Sequence, residues 1–150
     1  MAGIIAEYNP FHRGHRWQIQ TLRRLLGADA AVVAVMSGNF VQRGDFAVLE
    51  KRARAECALL GGADLVLELP SPWSAATAER FAQGGVALLA ATGVVTHLAF
   101  GCETGDLGPL AAAARCLENP GWEEAARRRE GGGAAPAAGR RAPGRGRAGG

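Results

Sequence analysis

Four short apolar runs, Ala2–Ala6, Ala31–Met36, Leu65–Leu69 and Thr96–Phe100, recur along the first hundred residues with longer patterned segments between them. This alternation constrains the fold more than any other feature. Runs of this length with few polar residues read as strands buried on both faces. The first intervening segment, residues 15–26, places Ile19, Leu22, Leu25 and Leu26 on one helical face and closes at Gly27, a C′ glycine. Leu49, Ala53, Cys57 and Leu60 mark the inward face of a second helix that stops at Gly61-Gly62. A third helix is predicted over 74–89 with Ala78, Phe81, Ala82, Gly85, Leu88 and Leu89 inward, and a fourth over 107–117. Strands and amphipathic helices in this order predict an α/β fold, a Rossmann-like parallel sheet with helices on both faces. Such sheets bind ligands at the carboxyl ends of their strands. The loops 9–14, 37–44, 70–74 and 101–105 are therefore expected to gather on one edge.

The first of those loops carries the clearest chemistry. Gly3-Ile4-Ile5-Ala6-Glu7-Tyr8-Asn9-Pro10-Phe11-His12-Arg13-Gly14-His15 is a strand that breaks at a proline and delivers His-x-Gly-His to a helix start. Two imidazoles bracket a glycine that lets backbone approach, beside helical N–H groups that favour anions. The arrangement points to a nucleotide phosphate rather than to a surface turn holding two solvated histidines. No Cys, Asp or Glu stands at ligand spacing beside the pair, which argues against a structural zinc.

The second loop, Ser37-Gly38-Asn39-Phe40-Val41-Gln42-Arg43-Gly44-Asp45, offers hydroxyl, amide and guanidinium groups between two glycines. Arg43 has the planar fork suited to phosphate or carboxylate. Glu7 ends the first strand, where a carboxylate can hold a ribose or an ammonium, or simply face water. His97 reads as a satisfied sheet residue. Trp73, after Pro70-Ser71-Pro72, suits either stacking on a base or packing under its loop.

Charge divides the chain. Residues 1–119 hold 10 Lys and Arg against 11 Asp and Glu, whereas residues 120–150 hold 7 Arg against 3 Glu, so the net +3 belongs to the tail. Residues 1–119 are expected to form one domain. From 131 onward the chain contains only Gly, Ala, Pro and Arg, a composition that cannot build a core and predicts disorder for 120–150. A basic arm for RNA is one reading of these arginines, and the abrupt composition of a shifted reading frame or premature end is the other. Cys57, Cys102 and Cys116 have no paired spacing, and no apolar stretch reaches membrane-span length or has the form of a signal peptide. A cytoplasmic protein with no membrane partner is the expectation.

Four ordered blocks carry a resemblance: Gly3–His15, Met36–Gly44, the segment Gly62-Ala63-Asp64-Leu65-Val66-Leu67-Glu68-Leu69-Pro70, and Phe100-Gly101-Cys102-Glu103. Over about residues 1–117 the chain resembles the bacterial tRNA(Met) cytidine acetate ligase family, of the nucleotidyltransferase superfamily with the His-x-Gly-His signature. The resemblance implies a nucleotidyltransferase-type sheet, and ATP with Mg2+ as substrate alongside acetate and elongator tRNA(Met). Acetate would be activated as acetyl-adenylate and then passed to the exocyclic amine of the wobble cytidine, giving N4-acetylcytidine. It also implies that His12 and His15 act catalytically on the phosphates. ATP contacts would run from the strand end into the helix through Ile5, Ala6, Glu7, Tyr8, Asn9, Pro10, Phe11, His12, Arg13, Gly14, His15, Arg16, Trp17 and Gln18, with Gly101 after the fourth strand.

The chain also departs from that family. Cys102 stands where members have serine, and their chains are more than twice as long. Their later asparagine and arginine that touch ATP, and the RNA-binding C-terminal part, have no counterpart here. The reading is therefore of a truncated form. Two alternatives remain open from the residues: a small-molecule adenylyltransferase of the same superfamily, or a non-catalytic nucleotide- and RNA-binding module. The former calls for a downstream Ser/Thr-rich phosphate motif ending in arginine, and none occurs before Asn119.

Overall fold

The computed structural model describes residues 1–102, 105–118 and 121. The expected disordered tail lies outside the described residues, apart from Gly121. The chain divides near residue 103 into two compact units. The first contains β1 (Ala2–Ala6), α1 (Arg13–Leu26), β2 (Val32–Ser37), a 3-10 turn (Gln42–Gly44), α2 (Lys51–Leu60), β3 (Leu65–Leu69), α3 (Ser71–Ser74), α4 (Ala78–Ala91) and β4 (His97–Ala99). The second contains α5 (Leu107–Leu117), whose N-cap Asp106 accepts from the Gly108 amide at 2.9 Å.

The four strands form one sheet in the order β3-β2-β1-β4, every pairing parallel. Alternation along the strands sends residues to two cores. Ile4, Val32, Ala34 and Met36 join Ile19 of α1 and Ala58 of α2 on one face. Val33, Val35 and Leu69 join Phe81 and Leu89 of α4 on the other. Helices thus cover both faces. The inner strand β2 is buried along its whole length, whereas Leu65 of β3 and Leu98 of β4 are nearly half exposed, because the outer strands are only partly covered. No helix among the described residues is long and apolar enough to cross a membrane.

Close approach sets the spacing between α4 and β1. A Cβ on Gly85 would lie 2.6 Å from Ile5 Cγ2, and one on Gly3 would lie 2.7 Å from a Leu89 methyl. Across the other face, Arg23 of α1 donates to the Gly62 carbonyl and to Asp64 Oδ2, each at 2.8 Å, and that same oxygen accepts from the Val32 amide at 2.7 Å. One carboxylate thereby ties the start of β2 to α1.

Several expected faces shift. Leu25 and Leu26 are exposed rather than inward, because α1 runs past the edge of its core after Leu22. In α2 the buried residues are Arg54 and Ala58, while Cys57 and Leu60 face out and Leu49 precedes the helix. The buried face is thus turned by one residue from the apolar stripe, to bring a guanidinium inward. The helix expected over 74–89 starts later, at Ala78, after the separate turn α3, and runs to Ala91, with Ala78 and Ala82 exposed.

Candidate nucleotide-phosphate site

The sheet topology makes a crevice where it changes direction. β1, β2 and β3 run outward in sequence, and the chain then returns to place β4 on the other side of β1. Ligands bind at such switch points, beyond the strands' carboxyl ends. A cavity of about 560 Å3 lies there, within the range of small-molecule sites. Ile5, Ala6, Glu7, Tyr8, Asn9 and Pro10 line it from the end of β1 and its turn, His12, His15 and Gln18 from α1, and Gln42, Phe81, Phe100 and Gly101 from the surrounding segments.

The turn is shaped by Tyr8, in the left-handed region at φ 49°, followed by a cis Asn9–Pro10 peptide bond. A bulky residue adopts that conformation only where its surroundings hold it. Here the Tyr8 ring is buried, with edge contacts to Phe11 at 5.0 Å and to His15 at 4.8 Å between centroids. Burial pushes its phenol up to about 12, so it stays protonated at neutral pH. Phe11 is a wedge between helices: a Cβ on Gly61, at the end of α2, would strike its ring.

The histidines cap their own helix. His12 is the N-cap, and its Nδ1 accepts from the Gly14 amide at 3.1 Å. The His15 Nδ1 accepts in return from the His12 amide at 3.2 Å. This is the reciprocal arrangement that Ser and Glu usually make. An Nδ1 that accepts a hydrogen bond cannot carry a proton, so in each neutral ring the proton sits on Nε2, which becomes a donor. The rings stack with centroids 3.7 Å apart. Burial lowers the pKa of His15, and the adjacent His12 lowers it further, which favours the neutral, Nε2-protonated form. Gly14 is required here, because a Cβ would come within 2.9 Å of the His12 ring.

The loops around the cavity are tied to one another. Glu7 Oε1 accepts from the Gln42 amide at 2.9 Å, Asn9 Oδ1 from the Val48 amide at 2.7 Å, and Asn39 Oδ1 from the Lys51 amide at 2.9 Å. Arg43 donates its amide to the Ala76 carbonyl at 3.2 Å. Beneath them lies Arg54, wholly buried. It donates to the Ser37 carbonyl at 3.1 Å and the Leu49 carbonyl at 3.0 Å, and also to the carbonyls of Glu7 and Gly38. Burial lowers its pKa while the carboxylates of Glu7 and Glu68 hold it up. One guanidinium thereby joins the ends of β1 and β2.

Of the residues named from the sequence, Ile5, Ala6, Glu7, Tyr8, Asn9, Pro10, His12, His15, Gln18 and Gly101 come together at the cavity, whereas Phe11, Arg13, Gly14, Arg16 and Trp17 do not line it. The second expected loop bonds through Gln42 to Glu7 before the first and through Arg43 to Ala76 after the third, whose residues 71–74 form α3. The fourth is described only as far as Cys102, before resuming at Gly105 in the second unit. Arg43 is exposed, and its neighbour Gln42 lines the cavity instead. Trp73 packs under its loop against α4, where a Cβ on Gly84 would meet it at 2.8 Å. His97 is exposed on β4, its Nδ1 2.8 Å from the Thr96 hydroxyl. Sequence reasoning missed Gln42, Phe100 and Arg54, and took Phe81 for core alone. Phe100 had a signal in its place beside Gly101.

A parallel sheet with a histidine-capped helix at its switch point defines an α/β domain of Rossmann-like type. More narrowly, the chain belongs to the HIGH Nucleotidyl Transferase family, whose model matches residues 1–131. It is 51% identical over 125 residues to the tRNA(Met) cytidine acetate ligase of Syntrophotalea carbinolica, covering 83% of this chain and 29% of that protein. It is 52% identical over 115 residues to the enzyme of that name from Syntrophomonas wolfei, covering 77% and 27%. Among solved structures it is similar to Thermotoga maritima TmcAL bound with alpha-thio ATP, with a TM-score of 0.77 and 43% identity over 89% of this chain and 33% of that one. The chain thus spans less than a third of the length of these curated relatives.

Proposed function

We propose that this chain is the ATP-binding part of a tRNA(Met) cytidine acetate ligase, acting in the cytoplasm. The observation that carries the reading is the pair of capped histidines at the cavity, each with Nδ1 occupied by a backbone amide and Nε2–H left to donate. The triphosphate, with Mg2+ as its counterion, would lie at the start of α1. The His12 and His15 Nε2–H groups would donate to its oxygens, and Ile5 to Pro10, Gln18 and Gly101 would enclose the nucleoside. The alpha-thio ATP bound by the similar Thermotoga maritima protein supports ATP as the nucleotide.

In the proposed first step a carboxylate oxygen of acetate attacks the α-phosphorus and the bond to pyrophosphate breaks, giving acetyl-adenylate. Negative charge grows on the leaving pyrophosphate, and preorganised donors directed there stabilise it more than the ground state. In the second step the N4 amine of cytidine attacks the acetyl carbonyl and AMP leaves. The names of the curated relatives support tRNA(Met) as acceptor.

Calorimetry of ATP binding tests the reading. Each Nε2–H bond to a charged phosphate is worth about 1.5–3 kcal/mol, so His12→Ala with His15→Ala is expected to weaken binding by roughly 100-fold or more. Unchanged affinity in the double variant would remove its basis.

A further inference from the structure

Arg13 of the His-x-Gly-His segment, and Arg16 and Trp17 just after it, stay outside the cavity. With Gln20 and Arg24 they are all exposed, and their spacing along α1 makes one continuous stripe about 16 Å long. No acidic residue occurs between Glu7 and Asp29, and neither Arg13, Arg16 nor Arg24 makes an ion pair among the described residues. Trp17 is 63% exposed, a large apolar ring that no core contact explains. The stripe begins on the same turn as His12 and His15, so a substrate too large for the cavity meets it on leaving.

We propose that this face of α1 docks single-stranded RNA of the acceptor, with phosphates on Arg13, Arg16 and Arg24 and an unpaired base stacked on Trp17. Unneutralised guanidinium groups complement the phosphate backbone, and an exposed indole offers a platform to any base. A basic face without an aromatic would suit an acidic protein equally; the indole favours an unstacked strand. The proposal rests on the acyl-transfer reading, which requires an RNA amine to reach the adenylate.

The test uses the full chain and a labelled, cytidine-rich single-stranded RNA, read by fluorescence anisotropy across salt concentrations, with ATP calorimetry and thermal melting on the same samples. Substituting Arg13→Gln, Arg16→Gln and Arg24→Gln together should weaken RNA binding at least about tenfold. It should also flatten the slope of log Kd against log salt by about 2, three contacts at roughly 0.7 each. Trp17→Ala should weaken binding about tenfold with the slope unchanged, because it removes stacking and no charge. Melting should hold in both. Retention of affinity and slope by the triple variant would overturn the proposal and assign the binding elsewhere on the chain. Equal binding of a duplex, or equal competition by an acidic polypeptide, would overturn it too. Absence of ATP binding by the unaltered chain, with both RNA effects present, would sink the nucleotide reading and leave this surface standing.

Discussion

Replacing Arg54 with methionine removes the guanidinium that joins the ends of β1 and β2 while keeping most of the side-chain volume. Four carbonyls then lose a partner: Glu7, Ser37, Gly38 and Leu49. Ser37 and Gly38 are buried, and water cannot replace the guanidinium there. Each orphaned buried carbonyl costs about 1–3 kcal/mol, or roughly 2–6 kcal/mol for the two. Removing a buried charge returns part of its desolvation penalty, so a net loss of about 3 kcal/mol is expected. For a domain of this size about 4 °C of melting temperature accompanies each kcal/mol, which places Arg54→Met about 12 °C below the unaltered chain. Thermal and urea unfolding followed by circular dichroism measure it. Arg54→Lys, which keeps a charge but loses the fork, should fall between the two. A melting temperature for Arg54→Met within about 2 °C of the original would mean that the four carbonyls do not depend on this side chain.

Other outcomes follow from the same geometry. The lowered pKa of His15 means that the unfolded chain binds the proton more readily, so stability should be full above the unfolded value near 6.5 and decline as pH falls through the folded value. Urea midpoints from pH 8 to pH 5 should show that decline, and His15→Gln should reduce it. Gly14→Ala should displace the His12 ring and weaken ATP binding about tenfold in calorimetry, with the melting temperature changing far less. Gly85→Ala gains about 1 kcal/mol of helix propensity but drives a methyl into Ile5, and urea unfolding should show a net loss of about 1 kcal/mol.

The parallel α/β class was legible because period-two burial on both faces leaves unbroken apolar runs, as in Val32–Met36. The meeting of His12 and His15 at the cavity was legible because a strand, a proline and His-x-Gly-His in succession put both rings at a helix start beyond a strand's carboxyl end. What stayed hidden depends on tertiary context. Arg54 reads as a solvated helix residue until two strand ends present carbonyls above it, and that inward turn of α2 is what moved Cys57 and Leu60 outward. Arg13 lies within the motif and Arg16 and Trp17 directly follow it, yet the motif does not say which side of the helix faces the cavity. Gln42 rather than Arg43 reaches it because the one-turn helix sets Arg43 at a φ of 65°.

His12 and His15 hold their Nδ1 atoms against backbone amides, which leaves two Nε2–H donors at the cavity. Long-range proton–nitrogen NMR correlation of the histidine rings, recorded above pH 7 with and without ATP, measures this directly. Both rings should show the Nε2–H tautomer in the free chain, and ATP should shift both Nε2 resonances. Nδ1–H tautomers, or Nε2 signals that saturating ATP leaves in place, would contradict it.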